Sequence, residues 1–270
     1  MSLPVEFCPS MDMDVVRVKH GAMEHAEQSI ATEIPFTLVA NEIHLVTLLC
    51  SPIDLKELTV GYLFTSGFVK NASEILSYDC DTQRWVAQVE LSRSPDPKLL
   101  EERLYTSGCG KGVMYASIVE IGTRHPIETP LKISPKQVNS LAHWLQHCSS
   151  LYRETGAVHT AALSEFGEIP IYWFDDVGRH NAVDKVIGKA CMEGKDLSNS
   201  ILISSGRTSS EILHKAKKAG IPISISRGAP THQTILRARD MGVTIVGFAR
   251  GGQFTVYSHE ERIETHDPLG

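Results

Sequence analysis

Three short β-branched runs, Ile201–Ser204, Ile221–Ile225 and Val243–Phe248, are separated by two stretches of helical periodicity, Ser209–Ala219 and Thr231–Met241. Runs this short and apolar read as buried strands, and apolar positions recurring every three or four residues read as helices. The order β-α-β-α-β leaves few folds open. Strands joined through helices pair in parallel, and the helices then cover the faces of the sheet. Ligand-binding loops of such a sheet gather at the carboxyl ends of its strands. Here those loops are Ser205-Gly206-Arg207-Thr208-Ser209, Ser226-Arg227-Gly228-Ala229-Pro230-Thr231 and Ala249-Arg250-Gly251-Gly252-Gln253. A fourth, Asp175-Asp176-Val177-Gly178-Arg179-His180-Asn181, follows the strand-like Ile169–Phe174 and opens a helix with Ala182, Val183, Val186, Ile187 and Ala190 at core spacing.

The first half mixes the two kinds of element. Glu33–Val39 and Ile43–Leu48 flank Ala40-Asn41-Glu42 as a hairpin would, and Trp85–Leu91 is a further alternating run of the same sheet. Asp54 and Glu57 have capping-box spacing and predict a helix from Leu55 to Phe64, ending near Gly67. Ser134 and Gln137 form a second such box, with Pro135 at the first helical position and Val138, Leu141, Ala142 and Leu145 on one side. At about 150 residues per domain, 270 residues suggest two. We place the boundary before Ser134, giving a smaller α+β domain over residues 1–130 and an α/β domain over 131–270.

Charge narrows the partners. Lys and Arg number 26 against 32 Asp and Glu, a net −6, which argues against nucleic acid because phosphate contacts usually leave a basic domain. No apolar stretch approaches the ~20 residues of a bilayer span, and the N-terminus lacks a secretory pattern, so we expect no membrane and a cytoplasmic protein. The 6 cysteines form no CxxC cluster and read as reduced thiols.

The chemistry-bearing residues fall into a few groups. Arginine beside glycine, near helix starts with open backbone amides, favours an anion such as phosphate, although Ser209 and Thr231 can equally be simple caps. Neither GxxxxGK[ST] nor GxGxxG occurs, so the ligand is held in another way. Asp176, Arg179, His180 and Asp184 form either a network that fixes their turn or a ligand contact. His143 and His147 are spaced i,i+4, yet each lies far round the helix from the apolar stripe and the pair reads as a solvated face. His159 lacks the acid two residues on that a zinc deaminase uses, since Ala161 stands there, and a satisfied helix histidine is the plainer alternative. We expect no metal of the protein's own. Cys109 sits in Gly108-Cys109-Gly110-Lys111-Gly112, where glycines free the backbone and Lys111 favours the thiolate. It is either a presented nucleophile or an accidental loop thiol. Cys50, Cys148 and Cys191 lie in apolar segments and read as small hydrophobes.

Glu154–Leu163 (ETGAVHTAAL), Phe174–Gly188 (FDDVGRHNAVDKVIG), Ser204–Ile212, Lys218–Thr231 and Gly242–Ile263 closely resemble the FdhD family of formate dehydrogenase accessory sulfurtransferases, as do Asp54–Val69 and Thr106–Gly112 (TSGCGKG). The resemblance implies an N-terminal α+β domain followed by a cytidine-deaminase-like α/β domain, usually in a homodimer. It implies sulfur taken from a cysteine desulfurase, carried as a persulfide on Cys109, and passed to the molybdenum bis(molybdopterin guanine dinucleotide) cofactor needed by formate dehydrogenase. It places that cofactor against Phe248, Ala249, Arg250, Gly251, Gly252 and Gln253, and from the loops at the same sheet edge we add Arg207, Arg179 and His180 as candidate contacts. One position departs from the family, which commonly has C-x-x-C where this chain has Gly112. A cofactor-binding chaperone without sulfur transfer and a zinc-deaminase relative are the alternatives.

Overall fold

The computed structural model describes residues 8–95, 103–105, 113–115 and 125–264. Strands β1 (Ser10–Lys19) and β2 (Ala22–Ala31) form an antiparallel ribbon. Then come β3 (Ile34–Ala40), β4 (Ile43–Cys50), helix α1 (Leu55–Thr65), β5 (Ile75–Asp81) and β6 (Val86–Leu91), whose strands make a sheet in the order β4-β3-β6-β5. The expected hairpin is β3–β4, turned through Asn41 and Glu42, both at positive φ as a two-residue turn requires. The Asn41 side chain accepts from the Leu91 amide at 2.6 Å and donates to the Leu91 carbonyl at 3.1 Å, fastening that turn to β6. A short pair follows, β7 (Arg103–Tyr105) with β8 (Val113–Tyr115).

The second half contributes helices α2 (Pro135–Cys148), α3 (Ser150–Thr155), α4 (Arg179–Met192), α5 (Ser210–Lys218) and α6 (His232–Met241). Its strands are β9 (His159–Glu165), β10 (Trp173–Asp176), β11 (Ser200–Ser204), β12 (Ile223–Ser226), β13 (Thr244–Arg250) and β14 (Gln253–Ser258), in the sheet order β10-β9-β11-β12-β13-β14. As predicted, β11, β12 and β13 are parallel and joined by α5 and α6. Because β10 is antiparallel to β9 and β9 to β11, β10 points the same way as those three, and the carboxyl ends of β10 to β13 share one edge. Helix α2 covers one face, with Val138, Leu141 and Leu145 on Ile201, Ile203, Ile223 and Ile225. Helices α4 and α5 cover the other, with Val183, Val186, Ile187 and Ile212 around Leu202.

Helix α1 joins the two layers. Leu55, Leu58 and Tyr62 pack on the first sheet, while the opposite side meets α4 backbone to backbone. A Cβ on Gly61 would lie 1.8 Å from the Asp184 carbonyl oxygen, and one on Gly188 would lie 2.0 Å from that of Glu57. Only glycine fits at either position, since overpacking there would push whole helices apart. Two expectations are corrected. Asp54 does not cap α1, because it is left-handed at φ 53 and its side chain makes no cap hydrogen bond; packing on both sides holds this helix instead. The strand predicted at Ile169–Phe174 begins at Trp173, since Pro170 has no amide to give a ladder and Ile169 and Ile171 are exposed. The Ser134–Gln137 box is present with both reciprocal bonds.

Candidate functional site

Where the strands end, a cavity of about 480 Å³ opens, lined by Gln146, Tyr152, His159, Ser205, Arg227 and Arg250 among others. Its walls come from distant parts of the chain. Arg250 ends β13, Arg227 follows β12, Ser205 follows β11, and Tyr152 lies on α3. His159, expected on a helix, instead opens β9, and the antiparallel register sets it opposite Asp176. Ser205 Oγ accepts from the Thr160 amide at 3.0 Å and lies 3.2 Å from His159 Nδ1. Burial, and secondarily the Arg179 guanidinium, lower the His159 pKa against an opposing pull from Asp176, so the imidazole is neutral at physiological pH. Among the described residues neither Arg227 nor Arg250 forms a salt bridge. A small, mostly concave site with cations and no matching carboxylate suits an anionic ligand.

The anticipated segment at 248–253 divides by role. Arg250 faces the cavity, and its guanidinium lies 5.7 Å from the centroid of the Phe248 ring. Phe248 is exposed and held at φ 52, with its amide donating to the Gly228 carbonyl at 3.1 Å. A bulky residue in that region stores strain, which a fixed ring position beside a ligand site would justify. Ala249 is packed in the core under α2. Gly251 and Gly252, both at positive φ, make the turn between β13 and β14, and Gln253 pairs with Arg250 across it. Arg207 is exposed in its loop, and the Arg179 side chain lies against Gly206, where a Cβ would meet it at 2.8 Å.

The polar residues at the start of α4 form a buried network. Asp176 accepts from Lys185 at 2.8 Å, from the Ser51 amide at 3.1 Å, from the Gly178 amide at 2.8 Å and from Asn181 at 2.9 Å. Asp184 pairs with Lys215 at 2.6 Å and accepts from Thr65 at 2.8 Å. His180 Nε2 lies 3.1 Å from Ser209 Oγ and 3.4 Å from Glu211. Burial, with Lys215 and Arg179 close by, pushes its pKa down to about 3. Asp176 and Asp184 thus belong to the network that fixes the turn, and His180 joins it through Glu211, which also lies 3.8 Å from Lys215.

Cys109, Lys111 and Gly112 lie outside the described residues. The cysteines read as hydrophobes behave so: burial pushes the Cys50 thiol far up, and burial with Asp175 pushes Cys148 up to about 11. Cys191 and Cys80 are also raised by burial. His143 and His147 lie on the exposed side of α2 as expected, and His147 Nδ1 is 2.8 Å from the His143 carbonyl oxygen. Among the described residues no three His, Cys, Asp or Glu converge to hold a metal, and no helix is long and apolar enough to cross a membrane.

Fold and site together define a mixed α/β protein whose second sheet presents, at its carboxyl edge, a cavity lined by Arg227 and Arg250. The chain belongs to the FdhD/NarQ family, whose profile matches residues 31–264. The sulfur carrier protein FdhD of Bacillus subtilis (strain 168) is 35% identical over 255 residues, covering 93% of this chain and 96% of that one. Its counterpart in Staphylococcus haemolyticus (strain JCSC1435) is 36% identical over 253 residues, covering 93% and 95%. A crystal structure assigned as a formate dehydrogenase accessory protein from Desulfotalea psychrophila is similar, with a TM-score of 0.79 at 26% identity, covering 95% of this chain and 100% of that one.

Proposed function

We propose that this protein is a sulfur carrier serving formate dehydrogenase, receiving sulfur on Cys109 from a cysteine desulfurase and passing it to a molybdenum bis(molybdopterin guanine dinucleotide) client. The observation that carries the client half of this reading is the cavity with Arg227 and Arg250, unmatched by any carboxylate among the described residues, in a chain akin to named sulfur carriers. Its volume of about 480 Å³ suits one nucleotide portion of so large a cofactor. In a homodimer, two such cavities would match two guanine tails. Arg250 and Arg227 would take phosphate oxygens, and the fixed ring of Phe248 would border the base.

In the sulfur half, the Cys109 thiolate attacks the terminal sulfur of the desulfurase persulfide. The donor's sulfur–sulfur bond breaks, its cysteine leaves as thiolate, and Cys109 holds the persulfide. Lys111, two positions on in the sequence, favours the thiolate. With Gly112 in place of a second cysteine, release depends on an external thiol or reductant or on another cysteine of the chain. The test is Cys109→Ala. The variant should fold and bind GDP, yet show no added sulfur by mass spectrometry after incubation with a cysteine desulfurase and cysteine, and should not activate formate dehydrogenase in cells lacking the native accessory protein. Full activation by Cys109→Ala would instead make the protein a cofactor-binding chaperone.

A further inference from the structure

Three hydrogen-bonding groups meet at the first residue of β9. The Thr160 amide donates to Ser205 Oγ at 3.0 Å, which leaves the hydroxyl proton to be placed, and His159 Nδ1 at 3.2 Å is the acceptor it meets among the described residues. A serine oxygen that accepts from an amide and donates to an imidazole satisfies all three groups. The opposite arrangement, with the proton on Nδ1, leaves the serine proton without an acceptor there. Nδ1 is therefore the bare nitrogen, and the neutral ring carries its proton on Nε2. The ring lines the same cavity as Arg227 and Arg250, and no described residue hydrogen-bonds to Nε2.

We propose that His159 is a ligand-binding residue of this cavity: held in one tautomer by Ser205, it donates its Nε2–H to an anionic oxygen, such as a diphosphate oxygen of a nucleotide bound between Arg227 and Arg250. The proposal deepens the nucleotide reading above and rests on it. A neutral donor suits the place. The two guanidiniums already supply positive charge, and a third cation in a partly buried wall would cost desolvation, whereas a fixed N–H adds direction without charge. The Ser205–Thr160 pair costs nothing at the moment of binding because it is already formed, so the donor is preorganised. His159 and Ser205 lie 46 positions apart in sequence and meet only because β9 is inserted antiparallel beside β11.

The experiment uses the full chain, with GDP and inorganic pyrophosphate as calorimetric probes. His159→Leu removes the donor, while His159→Gln places an amide N–H near the Nε2 position. Leu should weaken both probes roughly tenfold or more, and Gln should stay within about threefold of wild type. Nitrogen-15 imidazole shifts of the free protein should report the Nε2–H tautomer, and Ser205→Ala should mix the two tautomers. Equal binding by wild type and His159→Leu, or an Nδ1–H tautomer in the wild type, would overturn the assignment. Should His159→Leu fail to fold, a loss of binding in His159→Gln or the wrong tautomer would overturn it equally. Wild type that binds pyrophosphate but not GDP would sink the guanine nucleotide reading alone, and wild type that binds neither would sink both.

Discussion

The buried length of α4 and the open sheet edge at its start use the same residue types to opposite ends. Along the helix, and facing it from α5, the buried lysines of the described residues are matched: Lys185 and Asp176, both with fully buried side chains, lie 2.8 Å apart, and Lys215 of α5 lies 2.6 Å from Asp184. Their partners reach across the molecule, since Asp176 accepts from the Ser51 amide, Asn181 donates to the Leu49 carbonyl, and Thr65 donates to Asp184. These pairs stitch the first sheet and α1 to the second sheet. At the edge, Arg227 and Arg250 face a cavity where no carboxylate among the described residues answers them. Matched charges hold the two layers in register, and the unmatched ones are left for a group that comes from outside.

That division is easiest to break from the inside. Lys185→Met leaves Asp176 as a buried carboxylate without its cation, which typically costs about 3–5 kcal/mol. Thermal or denaturant unfolding should show this as a large loss of stability, with GDP affinity of the surviving folded fraction little changed. A variant as stable as wild type would mean that the pair is not the clamp between the layers. Arg250→Ala should behave in the converse way. Loss of a charge-assisted contact of about 1.5–3 kcal/mol weakens GDP binding roughly 10- to 150-fold, and the exposed, carboxylate-free arginine leaves the unfolding transition where it was. Unchanged affinity in calorimetry would move the phosphate site away from β13.

The parts legible in sequence are those buried on both faces. Strands β11, β12 and β13 are short runs rich in isoleucine and valine because helices cover both sides of them, and their loops announce themselves by glycine, arginine and hydroxyl residues. The β1–β2 ribbon is different: Met11-Asp12-Met13-Asp14-Val15 alternates, yet Met11, Met13, Val16, Val18 and Met23 are exposed, so no buried face accompanies the alternation. The Thr160-Ala161-Ala162-Leu163 run of β9 imitates a helix because alanine favours one, and only pairing with β10 and β11 makes it a strand. Its misreading hid His159 from the site. The Asp54–Glu57 spacing resembles a cap, yet the packing of α1 between Gly61–Asp184 and the first sheet overrides it. The cysteine loop is marked in sequence by its glycines alone.

A further effect comes from acid acting on the matched interior. His214 is buried on α5, and its Nε2 lies 3.2 Å from Arg237 Nη1, so the neutral ring accepts from the guanidinium. Burial first, and Arg237 second, push its pKa down from 6.5 to about 4. An unfolded chain takes up that proton near 6.5 and the folded one only near 4, so between these values the unfolded state binds more protons. The stabilising contribution is therefore complete above pH 6.5 and declines as pH falls toward 4, by at most about 1.4 kcal/mol per pH unit. His180, pushed lower still, adds a decline of the same sign. His214→Gln offers a carbonyl oxygen to Arg237 in place of Nε2 but cannot titrate. Chemical unfolding from pH 7 to pH 4 should show a shallower loss of stability for His214→Gln than for wild type, while both bind GDP equally at pH 7. Parallel curves would mean that His214 accepts its proton in the folded protein as readily as in the unfolded chain, and that the interior on this side of the sheet tolerates an unmatched positive charge after all.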